Sequence, residues 1–157
     1  MGLTVAYLKD HPEYIPLVAK WIFETWGHYN PQARYEKTIL KLHDHLNTES
    51  LPITYIALQD NKPVGTSSVR ITDGIRPDLI PWLASLFVLP EYRGKGIAQA
   101  LINAVKHKAQ QLKYPTIYLL AFDQSIPQWY EKLGWQIIGN DALYGHSVKV
   151  MSIHIKT

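Results

Sequence analysis

The sequence predicts an α/β (α+β) fold, with a mixed, mostly antiparallel sheet of about seven strands flanked by four helices. A hairpin pattern in the first half of the chain predicts antiparallel pairing. A strand–helix–strand pattern in the second half predicts a right-handed parallel crossover. The chain has 157 residues, of which 46% are hydrophobic and 18% charged. This length fits one core, and we expect a single domain over residues 1–157.

The first half of the chain is predicted to form four strands and two helices. Asp10, followed by Pro12 and Glu13, resembles a capping box and predicts the start of the first helix, which Gly27 can end. Asn30-Pro31 predicts the start of a second helix. Alternating or continuous apolar residues predict strands at 3–8, 53–58, 64–71 and 82–88.

The second half is predicted to alternate strands with helices and to end in two strands. Apolar residues at helical spacing mark a long amphipathic helix through Ile97, Leu101, Ile102, Val105, Ala109 and Leu112. Ser125 and Gln128 form a second capping-box pattern, which opens a short helix that Gly134 ends. Strands are expected at 116–121, 135–138 and 148–155. The last of these is apolar enough to pair with a second copy, so the sequence leaves open both a homodimer through this strand and a monomer.

The amino-acid composition of the chain limits the classes of ligand and of protein that we expect. The net charge of +3 favours an anionic ligand, but the Lys and Arg residues are scattered, so nucleic-acid binding is not expected. The chain has no cysteine, which suits a reducing cytoplasm, and it shows neither a signal peptide nor an apolar run of membrane-spanning length. His43 and His45 lie two apart on a predicted helix, so they cannot chelate a metal together, and we expect both at the surface.

A glycine-rich turn follows the strand that ends at Val88. Gly94 and Gly96 lie two residues apart just before a helix, where glycine permits close approach of a ligand to the backbone. The first turn of a helix has free N–H groups and a partial positive charge, and Arg93 and Lys95 add charge beside it. Spacing alone leaves two interpretations open, a phosphate-binding site and a plain tight turn with a solvated basic pair.

Two segments resemble the acetyl-CoA-dependent N-acetyltransferases of the GNAT superfamily. Residues 93–98 are similar to its signature Gln/Arg-x-x-Gly-x-Gly/Ala, and residues 129–135 are similar to its block Tyr-x-x-x-Gly-Phe, with Trp135 in the Phe place. The resemblance implies the GNAT fold and acetyl-CoA as co-substrate. It also implies transfer of the acetyl group to a primary amine of a small molecule or peptide by direct attack on the thioester. An alternative within the same fold is an acyl-CoA-binding sensor without turnover.

The resemblance also implies site residues. Backbone groups of Leu86, Phe87 and Val88 would pair with the pantetheine arm on a strand splayed from its neighbour. The pyrophosphate would lie on the backbone amides of Arg93, Gly94, Lys95, Gly96, Ile97 and Ala98. Tyr130 would donate to the leaving sulfur. Asp123 stands where many relatives carry an Asn that contacts pantetheine, which puts that contact in doubt.

The reaction also needs an unprotonated amine and a donor for the thioester oxygen. The N–H of Phe87 or Val88 is expected to supply that donor. For the base, Glu24 and Asp73 could approach the acceptor end, although a solvated surface carboxylate is the more common case. Water-mediated deprotonation, with Ser85 holding water, is a further option. Trp26 belongs to an aromatic group with Trp21, His28 and Tyr29 that predicts either an acceptor-site wall or plain helix packing.

Overall fold

A computed structural model describes residues 2–155, so residues 1, 156 and 157 of the expected domain lie outside the described residues. The predicted element order and fold class are confirmed. The seven strands are β1 Leu3–Tyr7, β2 Ile53–Gln59, β3 Lys62–Arg70, β4 Trp82–Val88, β5 Thr116–Ala121, β6 Gln136–Leu143 and β7 His146–His154. The four α-helices are α1 Ile15–Trp26, α2 Tyr35–His43, α3 Ile97–Gln111 and α4 Ile126–Glu131.

All seven strands form one sheet in the order β1-β2-β3-β4-β5-β7-β6. Neighbouring strands are antiparallel except β4 and β5, which are parallel as predicted. Side chains alternate between two faces of the sheet. On β2, Ile56 and Leu58 pack under α1 and α2, whereas Ile53 and Tyr55 join the larger core under α3. The two faces therefore carry separate helical layers.

The predicted capping box at Asp10 is wrong. Asp10 ends a short 3-10 turn, a second 3-10 turn spans Pro12–Tyr14, and α1 begins only at Ile15. The reason is His11, which precedes a proline and takes φ −138° and ψ 54° instead of helical values. The buried stripe of α1, which includes Ile15, Val18 and Ala19, lies where the periodicity placed it.

The predicted start of the second helix at Asn30-Pro31 is also wrong, since α2 begins at Tyr35. The Asn30 side chain accepts the Gln32 N–H at 2.9 Å, and the Asn30 carbonyl accepts the Ala33 N–H at 2.9 Å. These bonds close a local turn, as Asn often does. Residues 30–33 therefore connect α1 and α2 without helical structure of their own.

The last two strands differ from the predicted 135–138 and 148–155. They form a hairpin around Tyr144 and Gly145, whose φ angles are 53° and 81°. The predicted strand ended at residue 138 because the next residues, Gly139 to Asp141, lack the apolar pattern of a strand. β6 nevertheless continues through them, since an exposed edge strand can carry polar residues. β7 lies inside the sheet, between β5 and β6. It therefore cannot pair with a second copy, and the dimer contact that the sequence left open through this strand is wrong.

No helix within residues 2–155 combines the length and the apolar character that crossing a bilayer requires.

Candidate active site

The sheet opens between β4 and β5. Within the described residues the two strands share one paired position, Trp82 with Tyr118, next to which the Tyr118 N–H donates to the Pro81 carbonyl at 3.0 Å. Beyond it, β5 pairs only with β7. The carboxyl ends of β4 and β5 therefore separate, and they leave backbone groups of β4 without a strand partner on that side.

A β-bulge lies in β4 at the start of this opening. Thr66 is opposite Phe87 and Ser68 is opposite Ala84, so Ser85 and Leu86 together face a single β3 residue. Ser85 has a left-handed φ of 55°, which costs a non-glycine residue about 1 kcal/mol. Bulges of this kind re-aim a strand beside functional sites. The bulge therefore lies beside the opening, between the paired start of β4 and its carboxyl end.

Along β4 the backbone N–H and C=O groups of successive residues point to opposite sides, so those of Phe87 and Val88 face different neighbours. The Leu89 N–H donates to the Val64 carbonyl at 2.9 Å, so the neighbouring residue Val88 directs its backbone groups away from β3. The Val88 carbonyl instead accepts a bond of 2.8 Å from Arg93 Nε. Of the two N–H groups that the sequence left open, the geometry favours that of Val88 as the one that faces the opening.

The glycine-rich turn forms a cradle of free amides at the start of α3. Gly94 and Gly96 have φ of 78° and 85°, and a Cβ added at either would meet no heavy atom within 4 Å. The backbone N–H groups of residues 94–99 have no acceptor among the described residues. Successive free N–H groups at a helix start attract anions. This arrangement favours the anion-site interpretation over a plain tight turn.

The two basic side chains of the turn have different surroundings. Besides bonding Val88, the Arg93 guanidinium lies 5.7 Å from the centre of the Phe87 ring. Lys95 Nζ lies 5.5 Å from the centre of the Tyr92 ring. Arg93 thus ties the turn to the end of β4, and buried Ile97 anchors the first turn of α3 in the core. Ala98, the next residue of the helix, is half-buried.

Tyr130 lies on α4 and is 7% exposed. Its ring contacts Trp129 and Trp135 edge to face, with ring centres 4.9 and 5.5 Å apart. Burial raises the pKa of the Tyr130 hydroxyl above its usual value. Tyr130 therefore stays protonated at neutral pH and can act as a hydrogen-bond donor.

Asp123, which follows β5, braces the start of α4. One of its carboxylate oxygens accepts both the Ser125 N–H and the Ser125 hydroxyl at 2.8 Å, and these bonds hold the pKa of Asp123 below its usual value. Ser125 is the N-cap residue of α4, so the second capping-box pattern predicted the position of the helix start correctly. The Ser125 side chain makes no capping hydrogen bond, so the predicted bonding is wrong. A contact of Asp123 with pantetheine stays a prediction.

No hydrogen bond, ion pair or ring contact within residues 2–155 joins the predicted acceptor residues Glu24, Trp26 and Asp73 to one another. Glu24 is exposed near the end of α1, and Trp26 is half-buried. Trp21 belongs to the core, where it stacks on Phe87 at 5.3 Å. The proposed aromatic wall therefore does not include Trp21, which makes helix packing the better account of that residue.

Asp73 is more buried than a solvated surface carboxylate. Its side chain is 20% exposed and accepts a bond of 3.1 Å from Arg70 Nη1. Burial raises the pKa of Asp73 to about 6, and the charges of Arg70 and Lys41 oppose this only in part. Asp73 lies in the loop after β3, which covers the same sheet face as α2.

The prediction that His45 lies at the surface is wrong. His45 is 8% exposed and its Nδ1 lies 2.8 Å from Thr54 Oγ1, which in turn lies 2.7 Å from Ser68 Oγ. Burial, with the charge of Arg70, lowers the pKa of His45 to about 4. The signal in the sequence was its spacing, since His45 follows buried Leu42 by three residues. His43 is exposed, as predicted.

We expect His45 to make the fold acid-sensitive. The unfolded chain takes up a proton near pH 6.5, whereas folded His45 resists protonation until about pH 4, so its contribution is complete above pH 6.5 and is lost as the pH falls toward 4. Between pH 7 and pH 4 the wild type should lose about 3 kcal/mol more unfolding free energy than His45→Gln. Urea unfolding at both pH values measures this, with exposed His107→Gln as the control. An equal loss in wild type and His45→Gln would contradict the assignment.

Four aromatic rings that we call the ring stack, from His28, Tyr29, Phe122 and His146, meet beside the carboxyl end of β5. The Tyr29 ring is parallel to the Phe122 ring, with 4.0 Å between the ring centres, and the centre of the His28 ring also lies 4.0 Å from that of Tyr29. His146 contacts Tyr29 and Phe122 edge-on, at 5.1 and 6.1 Å. The sequence indicated His28 and Tyr29, but it gave no sign of Phe122 or His146, which come from distant segments.

Comparisons with solved structures agree on this architecture. An acetyltransferase from Streptococcus agalactiae 2603 superposes with a TM-score of 0.74 at 16% identity, over 99% of both chains. An aminoglycoside 6'-N-acetyltransferase solved with coenzyme A gives 0.73 at 18% identity, over 100% of this chain and 98% of that one. A candidate streptothricin acetyltransferase from Bacillus anthracis, solved with acetyl coenzyme A, gives 0.62 at 23% identity over 73% and 68%. At these identities the likeness shows the fold alone.

Comparison of the sequence with protein-family models shows the family to which the chain belongs. No curated protein matches the chain. The model of the acetyltransferase (GNAT) domain matches residues 51–137, which run from the first hairpin through the glycine-rich turn and α4 into β6. This match covers more than half of the chain. The chain therefore belongs to the GNAT acetyltransferase family.

Proposed function

We propose that the chain is a single-domain N-acetyltransferase that moves an acetyl group from acetyl-CoA to a primary amine of a small molecule or peptide. The observation that carries this proposal is the run of free amides at residues 94–99, beside the opening between β4 and β5. The amides suit a pyrophosphate, and unpaired backbone on β4 suits the amides of a pantetheine arm. The solved structures with coenzyme A and acetyl coenzyme A support the same co-substrate.

Bound acetyl-CoA would supply an activated acetyl group as a thioester. The chain's own part begins with backbone groups of Leu86, which would hold the arm along β4. The Val88 N–H would then donate to the thioester oxygen, on which negative charge develops as the amine attacks. One such donor typically contributes about 100-fold or more to turnover.

Tyr130 would stabilise the sulfur that leaves. An alkyl thiol has a pKa near ~8.5 and a phenol near ~10, and burial raises that of Tyr130 further. Complete proton transfer from Tyr130 to the thiolate is therefore unfavourable. The expected role is a hydrogen bond to the developing thiolate, and the proton that the thiolate finally takes can come from water.

The attacking amine must first lose a proton, because an alkyl ammonium has a pKa near ~10.4. Between the two candidate carboxylates, Asp73 is the better proton acceptor, since its pKa is raised to about 6 while Glu24 is exposed. Arg70 holds the Asp73 carboxylate in a fixed place. The loop that carries Asp73 begins next to the Arg70–Trp82 pair, six residues along β4 from Val88, so the proton would reach Asp73 through a chain of water molecules.

Release of free thiol from acetyl-CoA tests the proposal. The purified chain should release thiol at a rate that depends on an added amine, across a panel of monoamines, polyamines, aminoglycosides and peptide N-termini. Tight binding of CoA without thiol release for any amine would instead favour an acyl-CoA sensor. Mass analysis of the amine identifies the product and excludes simple thioester hydrolysis.

A further inference from the structure

Val88 directs two backbone groups toward the opening, and the Arg93 side chain engages one of them. In an extended strand the N–H and C=O of one residue point to the same side, so both groups of Val88 point away from β3. The Val88 carbonyl accepts the Arg93 Nε–H at 2.8 Å. Arg93 therefore takes the place of a strand partner for the carbonyl, and it leaves the Val88 N–H to a ligand.

Two aromatic rings hold the Arg93 guanidinium at this place. It lies 5.7 Å from the centre of the Phe87 ring, and the Phe87 ring stacks on buried Trp21 of α1 with ring centres 5.3 Å apart. Phe87 packs on the face of the sheet that carries α1, whereas Ile97, at the start of α3, packs on the other face. Within the described part of the chain, the contacts of the Arg93 side chain are therefore with β4 and not with the amides of residues 94–99.

An uncovered carbonyl at Val88 would oppose the proposed reaction. The thioester oxygen gains negative charge as the amine attacks, and the Val88 carbonyl oxygen, close to the N–H that would bind it, also carries partial negative charge. The bond from Arg93 Nε offsets the charge of this carbonyl and holds the Val88 backbone in one orientation. Donors that are oriented before the reaction stabilise a transition state most, because they need not reorganise as charge develops.

We infer that Arg93 is a positioning residue for acetyl transfer, which acts through the Val88 carbonyl to present the Val88 N–H to the thioester oxygen. The inference rests on the acetyl transfer proposed above and adds a residue that acts on its transition state. The feature that the role requires is an N–H on the atom attached to Cδ, and not the positive charge. Glutamine carries Nε2 on Cδ and can donate from the same place, whereas lysine has a methylene carbon there and its charge one bond farther out.

Two substitutions of Arg93 separate the bond from the charge. Arg93→Lys keeps the charge without the donor on Cδ, so kcat should fall about 10-fold while acetyl-CoA affinity changes by less than about 3-fold. Arg93→Gln supplies the donor without the charge and should restore kcat to within about 3-fold of the wild type. Thiol release measures kcat, and titration of acetyl-CoA measures affinity. Arg34→Met, which removes a guanidinium 3.5 Å from the neighbouring Ala33 carbonyl, is the control for loss of an arginine and should change neither.

Nuclear magnetic resonance of the Val88 amide separates this inference from the acetyl transfer on which it rests. Without an amine, acetyl-CoA should shift the Val88 amide proton more than CoA does, because only acetyl-CoA has a thioester oxygen to bind. This difference should persist in Arg93→Gln and shrink in Arg93→Lys. If it does so in a chain that releases no thiol with any amine, acetyl transfer is contradicted and the role of Arg93 stands.

The opposite order of the two variants would overturn the inference while acetyl transfer stands. A wild-type kcat in Arg93→Lys, with a loss in Arg93→Gln, would show that the charge of Arg93 matters and its bond to Val88 does not. An equal loss of kcat in both variants would also contradict a role that a donor on Cδ fulfils.

Discussion

Gly96→Glu should weaken acetyl-CoA binding by at least about 100-fold, equivalent to ~2.7 kcal/mol. Gly96 is the N-cap of α3 with a φ of 85°, and the space around its Cα is open. A glutamate there would project its charge into the cradle formed by the free amides of residues 94–99. It would repel the pyrophosphate and offer the amides a competing carboxylate. Titration of acetyl-CoA into the variant measures the loss.

Gly145→Glu is the matched control for this experiment. Gly145 lies in the β6–β7 turn with a φ of 81°, and it too has no heavy atom within 4 Å of an added Cβ. The two substitutions therefore impose similar backbone strain and the same change of charge. Acetyl-CoA affinity should be kept in Gly145→Glu. Normal affinity in Gly96→Glu would remove residues 93–98 as the phosphate site.

Tyr130→Phe should lower kcat about 100-fold and change acetyl-CoA affinity by less than about 3-fold, because the hydroxyl acts on charge that develops only during the reaction. The ring is kept, so the contacts with Trp129 and Trp135 remain. Rates of thiol release and an acetyl-CoA titration provide the two readouts.

Tyr55→Phe controls for the loss of a buried phenol. Tyr55 is 6% exposed on β2, and burial raises its pKa as it does for Tyr130. Its replacement should leave kcat unchanged. If Tyr130→Phe turns over at the wild-type rate, Tyr130 does not assist the leaving sulfur, and if both variants lose activity alike, the effect is one of packing.

The fold could be predicted from the sequence where local signals and burial agree. The observed bounds of β4 and β5 match the predicted ones, 82–88 and 116–121, because both strands are apolar and proline or polar residues bound them. The helix starts predicted at Asp10 and Asn30 were wrong because a proline follows each of them within two residues, and turns compete with helix there. A capping pattern indicates only that a side chain is able to bond, and the backbone around it decides whether it does.

Part of the candidate site could also be predicted from the sequence, and part of it could not. The glycine-rich turn is local, and its amides follow from the residues 93–98 that the sequence singled out. The ring stack depends on contacts across the sheet between Tyr29, Phe122 and His146, for which the sequence carries no local sign. His45 was assigned to the surface, and Asp73 was left open between a base near the acceptor and a solvated carboxylate. Burial raises the pKa of Asp73 against the charge of Arg70, whereas burial and Arg70 together lower the pKa of His45.

A single-turnover reaction with acetyl-CoA labelled in the acetyl group tests the central claim most directly. We predict that a primary amine gains one labelled acetyl group on nitrogen for each CoA released. The label should appear on the amine without passing through a covalent acetyl-protein, as direct attack requires. Release of CoA with the label in free acetate, or no release with any amine, would contradict acetyl transfer by this chain.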